Sequence, residues 1–492
     1  MKTCLIIGGG IGGLVTGALL AKEGYQVTVL EKNAIIGGGL QTFKRHGASF
    51  PTGMHIFGGF QEGGNLRKLF EYLGVMDQIS LQPTDKNASD VVTVLSEGKT
   101  YQLPQGKEQY IAYLSTMFPA EKEQIKAYID RLFELSEEEN LFYLRESPER
   151  HLPHSEDFLG SVNQLRDRYI TDSKLKSLLV YLNGLMGGHE ETTPAYIHAL
   201  LSTLHINGTF QFVGESQQLA DALAKVIEDA GGQVIADEEV VRIEVENHQV
   251  TGVLTSNGHR YQADNYISDV HPDVLLRIID PQAFTTAFKT RIQSVPETMS
   301  SFKVFIKFKG KAFPFQNHVH FCLSENDEWP QNIMFVTPPE ENQGDFAKTM
   351  VIIAPMEYSE VKQWENTRTG HRGEEYQQWK QTMTEKVLDV MERLYPDFRN
   401  SIEFVFASSP LTIRDYYGNK EGSNYGFQKD SNNLMLSQMS VFTKVKNLYL
   451  TGQNVNIHGL CGVSLTAIET AEALVGQNVI VRKINNFCLS HP

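Results

Sequence analysis

The residues best placed to do chemistry stand near the start of the chain. Gly8-Gly9-Gly10-Ile11-Gly12-Gly13 carries the spacing GxGxxG at Gly8, Gly10 and Gly13. Gly8 permits a tight turn, Gly10 lets backbone approach a pyrophosphate, and Gly13 lets a following helix pack close to the preceding strand. Gly12 extends the same turn into the first helical residues. A helix that begins there turns its positive end and its free N–H groups toward phosphates. Downstream, Glu31 closes the apolar run Val27-Thr28-Val29-Leu30, where a carboxylate can bond both hydroxyls of a ribose. This constellation predicts an adenine dinucleotide. A carboxylate on a free 2′-hydroxyl also disfavours a 2′-phosphate.

Beyond Glu31 come Lys32, a second glycine cluster at Gly37-Gly38-Gly39, and Thr42. A glycine turn so soon after the acid suggests backbone lining a longer cofactor, which favours FAD. Near the other end, Asn447 to Gln453 reads as a strand running into a turn at Gly452-Gln453. Gly459-Leu460-Cys461-Gly462-Val463 then opens a helix through Ala473. A helix N-terminus at that point presents the positive end of its dipole.

These groups need elements to hold them. Cys4-Leu5-Ile6-Ile7 suits a buried parallel strand. Leu14, Ala18, Leu19 and Ala21 suit a small-residue helix ending near Gly24. With Val27–Leu30 this makes a βαβ start. Residues 65 to 205 read as mostly helical, with a helix from Pro119 to Leu144 and a loop from Glu146 to Phe158. The chain returns to α/β at 214 to 272. There a helix over Leu219–Ala230 precedes strands at Gln233–Ile235, Val240–Val245 and Val250–Thr255. Strands dominate 299 to 357. Phe302, Val304, Ile306 and Phe308 alternate with Lys303, Phe305, Lys307 and Lys309, which predicts a strand with one apolar face. A long amphipathic helix runs from Tyr376 to Leu394. The expected architecture is α/β. A discontinuous Rossmann-like FAD-binding domain (1–65, 206–290 and 440–485) is interleaved with a mixed α/β substrate-binding domain (66–205 and 291–439).

The whole arrangement resembles the FAD-containing amine oxidases and carotenoid desaturases, over nearly the full chain. The resemblance implies that the C-terminal glycine turn, with Gly452, Gln453, Gly462 and Val463, lies against the flavin. It also implies that the strand Val240-Val241-Arg242-Ile243 touches the adenine through Val240. Ser268-Asp269 stands where the family often has Asn after a strand, and no role is assigned to it. Phe50-Pro51-Thr52-Gly53-Met54-His55-Ile56-Phe57-Gly58-Gly59 is similar to the FxxGxHxxGG stretch of retinol saturases and related carotenoid isomerases. This implies cofactor contacts from Gly38, Gly39, Gly53, Met54 and His55. The family usually carries Asp where this chain has Pro51 or Thr52, so no catalytic acid is carried over there.

The resemblance implies redox or isomerisation chemistry at a double bond of an isoprenoid polyene, with an apolar lipid as partner and NAD(P)H as a candidate electron donor. Saturating a double bond needs a hydride and a proton. Imidazole exchanges protons near neutral pH, so His55 is the candidate donor, with packing against the flavin as its other reading. Tyr425, in Gly422-Ser423-Asn424-Tyr425-Gly426, is a second candidate. Cys461 could form a thioether to flavin or be a small buried residue. The Phe-rich strand and the insert at 175 to 200 could wall an apolar tunnel or simply be core. Two alternatives stay open: an amine oxidase-like flavoenzyme, and a non-catalytic FAD-binding lipid carrier.

Composition limits the rest. The chain has 492 residues, 41% of them hydrophobic, and a formal net charge of −15. That makes nucleic acid a poor partner and an anionic membrane a repulsive surface. The four cysteines form no CxxC pair, which fits a reducing, cytoplasmic compartment. The apolar N-terminus is too glycine-patterned for a signal peptide, and no apolar run is long enough to span a bilayer. Peripheral membrane contact is left open, as is the oligomeric state. The pairs His151/His154 and His318/His320 lack accompanying Cys or carboxylate ligands, so no metal site is expected.

Overall fold

The computed structural model describes residues 1–147, 154–324 and 328–491. Its organising layer is a five-stranded, wholly parallel sheet in the order Gln233–Ile235, Gln26–Leu30, Thr3–Ile7, Asn265–Ser268, Leu448–Leu450. The central strand Thr3–Ile7 pairs on both sides, so its apolar run lies inside the protein rather than on a surface. The first helix, Ile11–Lys22, is buried along nearly its whole length, between helices Gln217–Asp229 and Gly459–Val475. Small residues make that approach possible: a Cβ on Gly17 would stand 2.8 Å from Ile227 Cδ1. The strands of this sheet come from three distant stretches of sequence, as the discontinuous Rossmann-like reading expects.

A second sheet has seven strands in the order Ile402–Ser408, Ser300–Phe308, Thr349–Met356, Asn332–Val336, Val319–Leu323, Asp90–Val94, Lys99–Leu103. Its pairing is antiparallel except between Val319–Leu323 and Asp90–Val94. The strand Ser300–Phe308 has the expected apolar face, and its other face is buried too. Phe302, Val304, Ile306 and Phe308 do enter the core beside Val387 and Met391 of helix Gly373–Leu394. The opposite face is covered as well, by the hairpin Thr42–Arg45/Ala48–Pro51. Phe305 packs there against Phe43, Phe50 and Phe406, with ring centroids 5.2, 5.7 and 4.9 Å away. Lys303 is buried on that face too, and only Lys307 reaches an acidic partner, Glu403, at the protein surface.

Helices Lys107–Met117, Lys122–Glu137 and Ala195–Asn207 pack together beside this sheet. The expected helix over Pro119–Leu144 is interrupted: turns of 3₁₀ type at Pro119–Glu121 and Leu141–Tyr143 flank the α-helical part. The expected loop from Glu146 to Phe158 ends in a short helix, Glu156–Leu159, capped by the Ser155 hydroxyl. His151 lies outside the described residues. Among the described residues no single helix is long and apolar enough to cross a membrane.

Candidate active site

One cavity of about 1250 Å³ begins at the glycine turn and runs between the two sheets. At its start the backbone does most of the recognition. Gly8 adopts φ +105°, a left-handed conformation that glycine alone takes without strain, and its N–H donates to Leu30 O. A Cβ on Gly13 would collide with Gly8 O, and one on Gly12 would come within 3.0 Å of Gly452 Cα. The N-cap Gly10 offers helix Ile11–Lys22 no side-chain cap, but the first-turn N–H of Gly13 donates to Asp269 Oδ2 at 2.8 Å, and Gly10, Ile11 and Gly12 at this positive end line the cavity. Glu31 is held rigid: Oε2 accepts from Gly9 N–H at 2.8 Å and Oε1 from Asn33 N–H at 2.9 Å. Lys32 Nζ donates to Asp415 O at 3.1 Å.

The middle of the cavity is lined by Gly53, Met54, His55, Lys303, Tyr417 and Tyr425. His55 is buried, and neither ring nitrogen has a hydrogen-bond partner. Burial, reinforced by the neighbouring Lys303 charge, pushes its pKa down to about 3, so the imidazole is neutral. Lys303 Nζ donates to Thr52 O at 2.7 Å, and burial pushes the ammonium down to about 8. Tyr417 donates to Thr52 Oγ1 at 3.2 Å. A Cβ on Gly53 would stand 2.5 Å from the Tyr417 oxygen, so glycine there makes room for that phenol. The Tyr425 ring stacks on His458 at 5.7 Å, and burial pushes its hydroxyl up to about 12. His458 in turn N-caps helix Gly459–Val475, whose first turn turns Leu460 and Val463 to the cavity.

The far end is mainly apolar, walled by Phe321, Met334, Ile353 and Trp329. Tyr181 lines it as well, while its hydroxyl donates to Asp90 Oδ2 at 2.7 Å.

A family model described as flavin containing amine oxidoreductase matches residues 11–475. The chain belongs to the flavin-containing amine oxidoreductases. It is an FAD-dependent oxidoreductase of that family. Among curated proteins it is 25% identical to all-trans-retinol 13,14-reductase of Homo sapiens, over 96% of this chain and 86% of that protein. It is 24% identical to prolycopene isomerase 1, chloroplastic, of an Oncidium hybrid cultivar, over 97% of this chain and 84% of that one. Among solved structures, putrescine oxidase bound to putrescine shares the fold with a TM-score of 0.67 at 17% identity, covering 97% and 99% of the two chains. An oxidoreductase from Methanosarcina mazei superposes with a TM-score of 0.68 at 17% identity, covering 96% and 100%.

The residues present fit the flavin that this family carries. The glycine cradle would be filled by side chains at Gly12 or Gly13, Glu31 is locked at the end of the second strand, and His55 has two buried nitrogens in need of partners. Gly8, Gly10, Gly12, Glu31, Lys32, Gly38, Gly39, Gly53, Met54, His55, Val240, Tyr425, Gln453 and Val463 all line the one cavity. Gly13, Gly452 and Gly462 stand behind the wall and act by their smallness; a Cβ on Gly462 would press to 2.6 Å on Ile457 backbone. Thr42 does not line the cavity: its hydroxyl lies 3.3 Å from Ser216 Oγ. Cys461 is buried, receives a hydrogen bond from Asn65 Nδ2 at 3.3 Å, and is pushed up to about 12 by burial, which keeps it a thiol. His320 spends Nε2 on Thr93 Oγ1 at 2.8 Å.

Lys303, Tyr417, Asp269 and His271 are among the lining residues to which the sequence reading gives no role in the site. Lys303 carried a faint signal, a lysine inside a Phe-rich strand. His271 caps helix Pro272–Ile278 and its Nε2 lies 3.2 Å from Glu297 Oε2, a pairing that only the fold brings about.

Proposed function

We propose that this flavoenzyme, in its reduced form, acts on a carbon–carbon double bond of an isoprenoid polyene, saturating it or changing its geometry. The observation that carries this reading is the continuity of the cavity. It runs from the dinucleotide end past Lys303 and His55 to the apolar walls at Phe321, Met334 and Ile353. Its volume of about 1250 Å³ exceeds the roughly 300–1,000 Å³ of a usual ligand pocket, which suits a cofactor and an extended apolar molecule together. The names of the two curated relatives point the same way.

Gly8, Gly10, Gly12 and Glu31 would hold the dinucleotide, and Gly53 to His55 with Leu460 and Val463 would flank the ring system. Bound FAD supplies hydride-transfer chemistry. The protein supplies dryness, position and the proton. His55 is held neutral, so the donor role moves from it to the Lys303 ammonium, whose lowered pKa still keeps it charged at neutral pH. Lys303 gives one proton to one carbon of the double bond, becomes a neutral amine, and regains its proton from solvent. Neutral His55 offers one N–H donor and one acceptor to whatever fills the site. For saturation, NAD(P)H is the reductant in this reading. An apolar substrate partitions into bilayers, so the reading includes transient contact with a membrane surface.

Tyr417 and Tyr425 in the mid-cavity favour a second reading, oxidation of an amine. The discriminating experiment incubates the holoprotein with NADPH or dithionite and either all-trans-retinol or a cis-carotene, and separately with putrescine in air. Chromatography should show a polyene lacking one double bond, or a changed isomer, and no putrescine turnover. Oxidised putrescine with unchanged polyenes would reverse the order of the two readings.

A further inference from the structure

The strand Asn265–Ser268 delivers Asp269 into the glycine cradle. Its Oδ2 accepts from Gly13 N–H at 2.8 Å. A Cβ on Gly10 would lie 2.9 Å from the same oxygen, and one on Gly12 or Gly452 would collide with Oδ1. Three glycines from two separate turns therefore frame this carboxyl group, and it lines the cavity beside Gly8, Gly10 and Gly12. The N-terminal end of helix Ile11–Lys22 is also where the diphosphate of a dinucleotide is stabilised. Two anionic groups then meet at one helix end.

We infer that Asp269 takes up one proton when FAD binds, and that its neutral carboxyl group then donates a hydrogen bond to the cofactor diphosphate. The inference rests on the FAD reading and adds to it a linkage between cofactor retention and pH. The step balances. One proton comes from solvent to Oδ1, Oδ2 continues to accept from Gly13, and no covalent bond is made or broken with the cofactor.

The surroundings support it. Burial already pushes the carboxyl up to about 7, against the Gly13 hydrogen bond, and the Glu31 charge adds to the rise. The elements packed around Asp269 bring little to offset a second anion. The turn after Thr3–Ile7 brings only glycines, and the turn after Leu448–Leu450 brings Gly452. The end of Gln26–Leu30 brings Glu31, both of whose oxygens are occupied by backbone N–H groups. The helix that follows Asp269 begins at His271, which is paired with Glu297. The added diphosphate raises the carboxyl pKa further, so the bound state holds the proton where the free state has lost it.

The test uses the holoprotein, diluted into buffers from about pH 6 to about pH 9, with released flavin read by its fluorescence. The FAD dissociation constant should be flat up to about pH 7 and rise roughly tenfold per unit above it, about 100-fold in all. Asp269→Asn carries a permanently neutral donor and the same acceptor, so its dissociation constant should stay flat across the range. In weak buffer at about pH 8, wild-type protein should release about one proton per FAD lost. The wild-type curve and proton count decide the matter even if the variant folds poorly. A wild-type constant that does not change with pH, or an Asn variant that weakens as steeply as wild type, would overturn the inference. A chain that holds no flavin at any pH would overturn the FAD reading, and this inference with it.

Discussion

Lys303→Met should slow saturation of the polyene by roughly 10²–10⁴-fold, the usual worth of a positioned general acid, while the flavin spectrum and cofactor content stay unchanged. The sign of the pH dependence follows from burial. Desolvation lowers the ammonium to about 8, so wild-type protein keeps its proton donor below that pH and loses it above. The rate of saturation should therefore fall on the alkaline side of about pH 8, and the variant's residual rate should lack that limb. Methionine suits the test because it preserves an unbranched apolar stem in the strand Ser300–Phe308 and leaves no buried charge behind. The cost of the change is one unpaired acceptor, Thr52 O, which now receives the Lys303 hydrogen bond at 2.7 Å. Single-turnover rates of wild type and variant at several pH values measure the effect. A variant within a factor of about three of wild type, or one that keeps the alkaline limb, would show that the proton comes from elsewhere.

Gly13→Ala should abolish stable FAD binding. The new Cβ would collide with Gly8 O and stand 3.2 Å from Ile6 Cγ2. Neither neighbour can retreat cheaply. Gly8 already sits at φ +105° with its N–H tied to Leu30 O, and Ile6 is fully buried in the central strand. Relief must come from shifting the helix Ile11–Lys22, which is packed on both sides by Gln217–Asp229 and Gly459–Val475. Overpacking of this kind costs about 1–3 kcal/mol. If about 3 kcal/mol of it falls on the bound geometry, FAD affinity drops by about 100-fold. Gly344→Ala is the control, since it lies away from the cavity and a Cβ there meets nothing within 4 Å. The measurement is flavin retained per chain after gel filtration, with thermal unfolding alongside. A Gly13→Ala protein that keeps a full complement of flavin would mean that the turn does not approach the cofactor as described.

How far the sequence foretold this site depends on how local each cause is. The glycine turn, Glu31 and the helix at Gly459 were legible because their requirements lie within a few residues: a positive φ, a close approach, a strand end. The parallel order of the first sheet followed from the same βαβ start. Lys303 was not legible as a cavity residue. Its period-2 position puts it on the face opposite Phe302, and whether that face meets water depends on the hairpin Thr42–Pro51, which is remote in sequence. His55 lines the cavity, but its protonation depends on long-range packing and on Lys303, which no motif records. Asp269 has no periodicity to betray it; its meaning comes from the approach of a strand end to a distant helix N-terminus. Thr42 misled by proximity to the Gly37-Gly38-Gly39 cluster, because its hydroxyl bonds across to Ser216 instead.

Anaerobic absorbance of the reduced holoprotein after mixing with a polyene tests the central claim most directly, because flavin and polyene are followed in one trace. The account predicts that the polyene spectrum changes only while reduced flavin is present. All-trans-retinol should lose conjugation as flavin is reoxidised in equal amount, or a cis-carotene should change isomer with the flavin still reduced. A reduced flavin that stays reduced beside an unchanged polyene, with oxidation of an amine by the same preparation in air, would contradict it.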